Sequence, residues 1–293
     1  MSDAATPVVA ARMQMLAELF KIMPNWMMGP TIQKFDAWSP EEFRTSIPYL
    51  TEDEAIRSYY HDLSYRASLY RLDVYKDIVG TDWLSLIRER DSCLYNALLL
   101  RNTCSWAAYS CKDLITPILG NHVAEVKWLQ VIPNPALVTF LFGIGEKKQI
   151  RGYRHDILMV KTHDGPRYAF DPTGAQFGQN QSVMEWEEYI RDHTLEGFVP
   201  EVADHAMMSA GITMMRPREA RATELLHQAY HHYRQTSGVS DASLLSNDEF
   251  ATHFGRFTAF FEKVIEEANT RRLLTSYIPC PGLNNRVLRD CTT

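Results

Sequence analysis

A cysteine, a histidine and an aspartate follow one another along the chain in an order that suits thiol chemistry. Cys104 comes directly after Asn102 and Thr103, either of which can cap a helix that begins at the cysteine. The first turn of a helix has a positive dipole end and free amide groups, and both favour thiolate over thiol. A histidine beside this thiolate would complete the ion pair used in acyl transfer. Cys104 is therefore the candidate nucleophile.

The histidine and the aspartate stand at the two ends of a predicted β-hairpin. The segment RHDILMVKTHDGPRYAFDPT contains two apolar runs separated by a turn at residues 163–166. His155 opens the first strand and Asp171 closes the second, so the short turn predicts that they lie at the same end of the sheet. Asp171 would accept a ring N–H of His155 and fix its tautomer. The alternative interpretation is a buried Cys104, a core His155 and an Asp-Pro-Thr-Gly turn.

The nucleophile and the oxyanion-binding groups have more than one candidate. Cys93 follows Asp91 and Ser92 and could also open a helix, whereas Cys111 is expected deeper in the helix that follows Cys104. The backbone N–H of the nucleophile is the expected first donor to an oxyanion, and a side chain would be the second. The candidates for oxyanion or substrate contacts are Asn102, Trp106, Gln176 and Arg154.

Two further groups of polar residues suit weaker hypotheses. A basic run precedes His155 and indicates either a solvated loop or a clamp for an anionic or carrier-bound acyl donor. It consists of Lys147, Lys148, Arg151 and Arg154. His227 and His231 have the i, i+4 spacing of a zinc-binding helix, but the sequence has no HExxH motif and no evident third ligand. We expect neither a metal nor a cofactor.

The composition bounds the class of protein. The chain has 293 residues, of which 45% are hydrophobic and 23% charged, as in ordinary globular proteins. Its net charge of −6 argues against a general nucleic-acid or anionic-membrane binder. Five irregularly spaced cysteines without a CxxC motif favour a reducing compartment, so a cytoplasmic protein is expected. No window approaches the roughly 18 uncharged apolar residues of a membrane span.

Residues 1–90 and 91–180 have different patterns. The first region reads as helical, with a capping box at Thr51 and Glu54 and a long helix that continues to Gly80. Within it, Tyr59, Leu63, Tyr70 and Val74 recur at helical spacing. The second region has a helix that stops at Gly120, with Pro117 near its end, and then four apolar runs joined by short turns. This order predicts a mostly antiparallel sheet.

Residues 181–293 read as helical again. Capping boxes are predicted at Ser182 with Glu185 and at Ser246 with Glu249, and a helix is predicted over about residues 217–235. Helices, then a helix with a sheet, then helices indicate an α+β fold. Because no segment resembles a linker, we expect one domain over residues 1–293.

The site residues and their context resemble the transglutaminase-like branch of the papain-like cysteine superfamily. TCSW is similar to the Cys-x-Trp of papain-like enzymes, and the Asp-Pro-Thr at 171–173 is typical of transglutaminase-like cores. The segment DPTGAQFG is similar to one in uncharacterised fungal members. The resemblance covers about residues 91–180. The position six before the nucleophile, a glutamine in papain, is Leu98 here, which bears on peptidase activity more than on thiol chemistry.

The resemblance implies a nucleophile helix packed on the sheet and a Cys104–His155–Asp171 triad that works through a thioester. Such a triad suits an acyltransferase or amide-forming enzyme of small-molecule biosynthesis, and equally an amidohydrolase or deamidase. The alternatives are a cysteine peptidase and a non-catalytic interaction module. The expected substrate is a small-molecule or carrier-bound acyl compound, with neither nucleic acid nor membrane as a partner. The oligomeric state is left open.

Overall fold

A computed structural model describes residues 5–26, 31–75, 87–88, 91–143, 154–204, 206–209, 215–239, 242–271 and 274. The longer α-helices are α1 (Ala5–Trp26), α2 (Pro40–Leu50), α3 (Glu54–Leu63), α4 (Ser92–Leu99), α5 (Cys104–Leu119), α6 (Trp186–His193), α7 (Pro217–Thr236) and α8 (Asn247–Thr270). The strands are β1 (Thr31–Ala37), β2 (Ser68–Tyr75), β3 (Val123–Val131), β4 (Leu137–Gly143), β5 (His155–Thr162), β6 (Arg167–Phe170), β7 (Val183–Glu185) and β8 (Glu201–Val202). Three-residue or four-residue 3-10 turns occupy Gly120–His122, Gly174–Phe177 and Ala242–Leu244.

The larger sheet contains the predicted hairpin. Its strand order is β7-β6-β5-β3-β8, and all its pairs are antiparallel. Successive side chains of a strand point to opposite faces. One face, with Leu158 and Val160, joins a large apolar core with α1, α5, α7 and α8. The other face, with Ile157 and Met159, packs against Tyr189 of α6. Helices thus cover both faces, which explains why β5 is buried at almost every position.

The nucleophile helix is an apolar element in the larger core. Nine of its residues are buried, and the Trp106 ring meets Phe20 of α1 edge-on with centroids 5.1 Å apart. The helix ends at Gly120, whose φ of 55° favours glycine, and Pro117 lies in its last turn. Both features confirm the sequence prediction.

A second sheet of three strands stands beside the first. Its order is β1-β2-β4, with β1 and β2 antiparallel and β2 and β4 parallel. Helices α2 and α3 pack on it around Phe43, Tyr60 and Phe140. The expectation that the four runs after α5 form one antiparallel sheet is therefore wrong for β4. A parallel partner so distant in sequence leaves no local signal, because its pairing depends on a long crossover.

The expectation of an all-helical region over residues 1–90 is also wrong. The capping residue of α3 is Asp53, whose side chain accepts the N–H of Ile56 at 3.1 Å, and the predicted capping box at Thr51 and Glu54 is not formed. The helix ends at Leu63 and the chain continues into β2. Tyr70 and Val74 lie in that strand, because pairing on both edges of β2 overrides the local helical spacing. The predicted stop at Gly80 lies outside the described residues.

The C-terminal region agrees better with its prediction. Ser246 and Glu249 form the expected capping box, with the Ser246 N–H donating to Glu249 Oε2 at 3.0 Å. Helix α7 covers the predicted range. The capping box predicted at Ser182 and Glu185 is wrong, because residues 183–185 pair with β6 as a strand and α6 starts only at Trp186.

The described residues have an α+β fold, in which helices surround two separate sheets. Within the same residues, no helix combines the length and the apolar character that crossing a bilayer requires.

Candidate active site

The candidate nucleophile stands at the start of its helix. Cys104 is the first residue of α5 and is partly exposed. Asn102 just before it has a φ of 57°, a left-handed conformation that asparagine tolerates better than most residues. The Thr103 hydroxyl donates backwards to Leu100 O at 2.6 Å, so this side chain does not cap the first turn. The first-turn amide groups are therefore not capped by the Thr103 side chain, and such groups favour negative charge at a helix start.

His155 and Asp171 meet at one end of the hairpin. His155 Nε2 lies 2.7 Å from Asp171 Oδ2, and each side chain is 1% exposed. The register explains the meeting: Leu158 pairs with Phe170, so Asp171 comes opposite the strand position next but one to His155, on the same face. The Asp171 N–H donates to Ser182 O at 2.8 Å, which holds the chain beyond β6.

Cys104 interacts with the same imidazole. Burial by itself would lower the pKa of His155, but the Asp171 carboxylate, its hydrogen bond, and a hydrogen bond and charge interaction with Cys104 together raise that pKa to about 10. Because Nε2 faces Asp171, Nδ1 is the ring nitrogen left for the sulfur. The structure thus brings the three predicted residues into one cluster, in the order thiol, imidazole, carboxylate.

The Asp171 carboxylate is buried and fully engaged. Oδ2 accepts from His155 and from the Tyr189 hydroxyl at 2.8 Å, while Oδ1 accepts from the Thr173 N–H at 3.1 Å and the Thr173 hydroxyl at 3.2 Å. Burial alone would raise the pKa of Asp171, but the charge of His155 and these hydrogen bonds outweigh it and hold the pKa below its usual value. The carboxylate is therefore kept ionised in a dry site.

The segment Gly174–Phe177 shapes the site around Asp171. A methyl group on Gly174 would lie 3.0 Å from Asp171 Oδ2 and 3.0 Å from Gln179 Oε1, so glycine permits this close approach. The Phe177 ring meets the His155 ring edge-on, with centroids 4.8 Å apart. Phe177 O accepts the Ala136 N–H at 2.9 Å, which ties this segment to the three-stranded sheet. The Phe177 ring therefore confines the imidazole, and the backbone just before β4 holds Phe177 in place.

Gln176 links the imidazole to the backbone that precedes the nucleophile. Its Oε1 accepts the Asn102 N–H at 3.2 Å, and its Nε2 lies 3.5 Å from His155 Nδ1. The first contact orients the amide so that its NH₂ group lies on the side of the His155 ring. Asn102 contributes through its main chain, whereas its side chain is exposed. Both residues were candidates from the sequence, and both lie in the cluster.

Trp106 and Arg154, the other two candidates, lie elsewhere. Trp106 is 2% exposed and its indole N–H donates to Thr223 at 2.9 Å, so its ring is committed to the core. Trp106 comes two residues after Cys104, about half a turn of an α-helix, so it lies on the opposite, buried side of α5. Arg154 is exposed and forms an ion pair with Glu201 at 2.5 Å at the edge of the sheet. The other members of its basic run lie outside the described residues.

The remaining cysteines differ from Cys104 in their surroundings. Burial and the nearby Asp91 raise the pKa of Cys93, and complete burial raises that of Cys111 far above its usual value. Both shifts favour the unreactive thiol. Cys280 and Cys291 lie outside the described residues.

The two histidines with zinc-like spacing do not converge on a common point. His227 Nε2 lies 2.9 Å from Ser110 O, whereas His231 Nε2 lies 2.8 Å from Gln235 Nε2. Among the described residues, no three histidine, cysteine or acidic side chains are grouped as a metal site would require.

Sequence reasoning missed three residues of the site. Tyr189 donates to Asp171, but nothing in its sequence context distinguishes it from a core aromatic. Asp156 and Ser105, next to His155 and Cys104, are hydrogen bonded to each other. A signal for Asp156 existed: it occupies a core-facing position of an apolar strand, where a carboxylate needs partners.

No protein-family model matches this chain, and neither a curated protein nor a solved structure matches it.

Proposed function

We propose that the protein is a cysteine-dependent acyl-transfer enzyme with a papain-like, transglutaminase-like core, in which Cys104, His155 and Asp171 act as nucleophile, general acid/base and orienting carboxylate. The observation that carries the proposal is the buried 2.7 Å contact of His155 Nε2 with Asp171 Oδ2, together with the interaction of the same imidazole with Cys104, a partly exposed thiol at a helix start.

The first half of the reaction forms a thioester. The Cys104 sulfur attacks the carbonyl carbon of an amide or thioester, and the carbonyl electron pair moves to oxygen. The first-turn amide of α5 and the Gln176 NH₂ group stabilise this oxyanion. When the carbonyl re-forms, the bond to the leaving amine or thiol breaks, and that group takes the proton of the His155 imidazolium.

The second half releases the acyl group. Water or an amine gives a proton to the neutral imidazole and attacks the thioester carbon, and the sulfur departs as thiolate. Hydrolysis and amide formation share these steps and differ in the acceptor. We propose a small-molecule or carrier-bound acyl substrate and a cytoplasmic location, where free thiols persist.

Selective alkylation tests the proposal. The native protein is treated with limiting iodoacetamide near pH 7, and the modified cysteine is located by peptide mass spectrometry. Cys104 should react first, and exposure to a panel of acyl thioesters should add an acyl mass at the same residue. If Cys104 is no more reactive than Cys93 in the folded protein, the proposal is wrong, and a non-catalytic module becomes the better account.

A further inference from the structure

A row of polar side chains crosses the larger sheet next to the nucleophile. Asp156 of β5, Gln130 of β3 and Glu201 of β8 are paired directly opposite one another. Asp156 is on the face opposite to His155, the face on which Leu158 and Val160 pack with α5. The row therefore faces the nucleophile helix, whereas the triad carboxylate faces α6.

Each group in this row has a defined partner. Asp156 Oδ2 accepts the Ser105 hydroxyl, and Asp156 Oδ1 accepts the Gln130 side-chain amide at 2.9 Å. Gln130 Oε1 accepts from Arg154 at 3.3 Å, and Arg154 also pairs with Glu201. Asp156 is 7% exposed. A carboxylate with both oxygens engaged and so little exposure is better suited to holding structure than to binding a substrate group.

The Ser105–Asp156 hydrogen bond joins two residues that are each next to a reactive residue in the chain. Ser105 follows Cys104, and Asp156 follows His155, so one charge-assisted bond joins the neighbour of the thiol to the neighbour of the imidazole. It connects the first turn of α5 to the first residues of β5. Small changes in the placement of reacting groups alter rates strongly.

We propose that Asp156 is a positioning residue, which acts through Ser105 to fix the first turn of α5 and with it the sulfur of Cys104 against the His155 imidazole. This role rests on the proposed function, since it concerns the geometry of the same thiol and imidazole. It is distinct from the role of Asp171, which orients the ring from the other face of the sheet.

The test compares variants of the full-length protein by the rate and pH dependence of Cys104 alkylation. Asp156→Ala and Ser105→Ala should each slow alkylation at pH 7 about 10-fold or more, and should shift the pH profile of alkylation to higher pH, because the sulfur is no longer held against the imidazole. The double variant should be no slower than the slower single variant, because both remove one interaction. Asp156→Asn should stay within about threefold of the unmodified protein, because its amide oxygen still accepts from Ser105.

The controls separate positioning from stability and from charge. Asp164→Ala, in the exposed turn of the same hairpin, should leave rate and profile unchanged. A purely structural role would lower the melting temperature without moving the pH profile, and that result overturns the proposal. The proposal is also overturned if Asp156→Asn slows alkylation as much as Asp156→Ala, because that result indicates an effect of the charge alone. It is overturned as well if the losses in rate of the two single variants add in the double variant. Ser105→Ala keeps the test valid if Asp156→Ala fails to fold.

The two proposals fail in different ways. If Cys104 of the unmodified protein is not selectively alkylated, the proposed function is wrong and Asp156 has no reactive thiol to position. If Cys104 is selectively alkylated and both single variants match it in rate and pH profile, the acyl-transfer proposal stands and the positioning role alone is wrong.

Discussion

His155 Nε2 and Asp171 Oδ2 lie 2.7 Å apart with both side chains 1% exposed. In so dry an environment the carboxylate cannot exchange this contact for water, and the imidazole keeps one orientation. Cys104 interacts with the same imidazole and helps to raise the pKa of His155. We therefore expect the reactivity of the thiol to depend on contacts that begin at Asp171, and each of these contacts can be removed by a single substitution.

Removing the sulfur should abolish covalent chemistry and spare the fold. We expect Cys104→Ala to lose both thioester turnover and the acyl mass adduct, with a melting temperature within a few degrees of the unmodified protein, because alanine suits a helix start that is partly exposed. Cys93→Ala is the matched control, since burial and Asp91 keep that thiol protonated. An acyl adduct that persists in Cys104→Ala would contradict the assignment.

Replacing the triad carboxylate should change the titration of the histidine. Asp171 raises the pKa of His155, so the imidazolium persists until the pH rises through that raised value of about 10. In Asp171→Asn this support is lost, and the imidazole should titrate at a lower pH, measurable by NMR of the ring protons. Turnover should fall at least about 100-fold because the ring also loses its orientation. An unchanged His155 titration would contradict the coupling of the two groups.

Tyr189→Phe should lower the stability of the protein at neutral pH, and this loss should diminish in acid. The pKa of Asp171 is held below its usual value, so its contribution to stability is present above about pH 4, the unfolded pKa, and is lost as the pH falls through the folded pKa. Loss of the Tyr189 hydroxyl raises the folded pKa and reduces this contribution. We expect a loss of about 1–3 kcal/mol at pH 7 by urea unfolding. The difference from the unmodified protein should shrink toward pH 3.

Gly174→Ala should disturb the site by crowding the Asp171 carboxylate. The added methyl group would lie 3.0 Å from Asp171 Oδ2, so the carboxylate must move or the turn must shift, at a cost of about 1–3 kcal/mol. Alkylation of Cys104 should slow as the imidazole loses its orientation. Gly255→Ala is the control: this glycine lies within α8 with no atom near its added methyl, and should be stabilising by about 0.5–1 kcal/mol. Equal effects of the two changes would count against the close-approach argument.

Gln176→Ala should separate acyl transfer from simple alkylation. Acyl transfer develops an oxyanion, and loss of one donor to it costs about 10²–10³-fold in turnover. Alkylation by iodoacetamide forms no oxyanion, so its rate at Cys104 should change by less than about threefold. Turnover and alkylation are measured on the same preparation. Parallel losses in both rates would show that Gln176 supports the thiol instead of the oxyanion.

The site was predictable from the sequence where local rules apply. A short turn fixes the register of a hairpin, so the ends of β5 and β6 had to bring His155 and Asp171 together. The end of α5 was marked by Gly120; its start was also placed correctly at Cys104, although the side-chain cap expected from Asn102 or Thr103 is not formed. These signals depend on neighbours in the chain, and for that reason they could be read without tertiary information.

Other parts depended on contacts between distant segments. The Tyr189 hydroxyl reaches Asp171 because α6 packs across the sheet, and no periodicity records that contact. Trp106 lay next to the nucleophile in sequence, but the helical rotation turns it into the core. Strand β2 has helical spacing with α3, and its identity is decided by pairing with β1 and β4. Tertiary pairing overrides local preference in each case.

The parallel pairing of β2 with β4 has a consequence for dissecting the protein. Strand β4 lies within residues 91–180, but its hydrogen-bonded neighbour comes from the N-terminal region, and the backbone just before β4 holds Phe177 against the imidazole. An excised 91–180 fragment would carry all three reactive side chains, yet it would expose the edge of β4 that pairs with β2 and would lose the Ser68 N–H that donates to Ala136 O at 2.9 Å. The reactive unit therefore extends beyond its own segment, because a truncation that removes β2 takes away the support of the backbone that holds Phe177 against the imidazole.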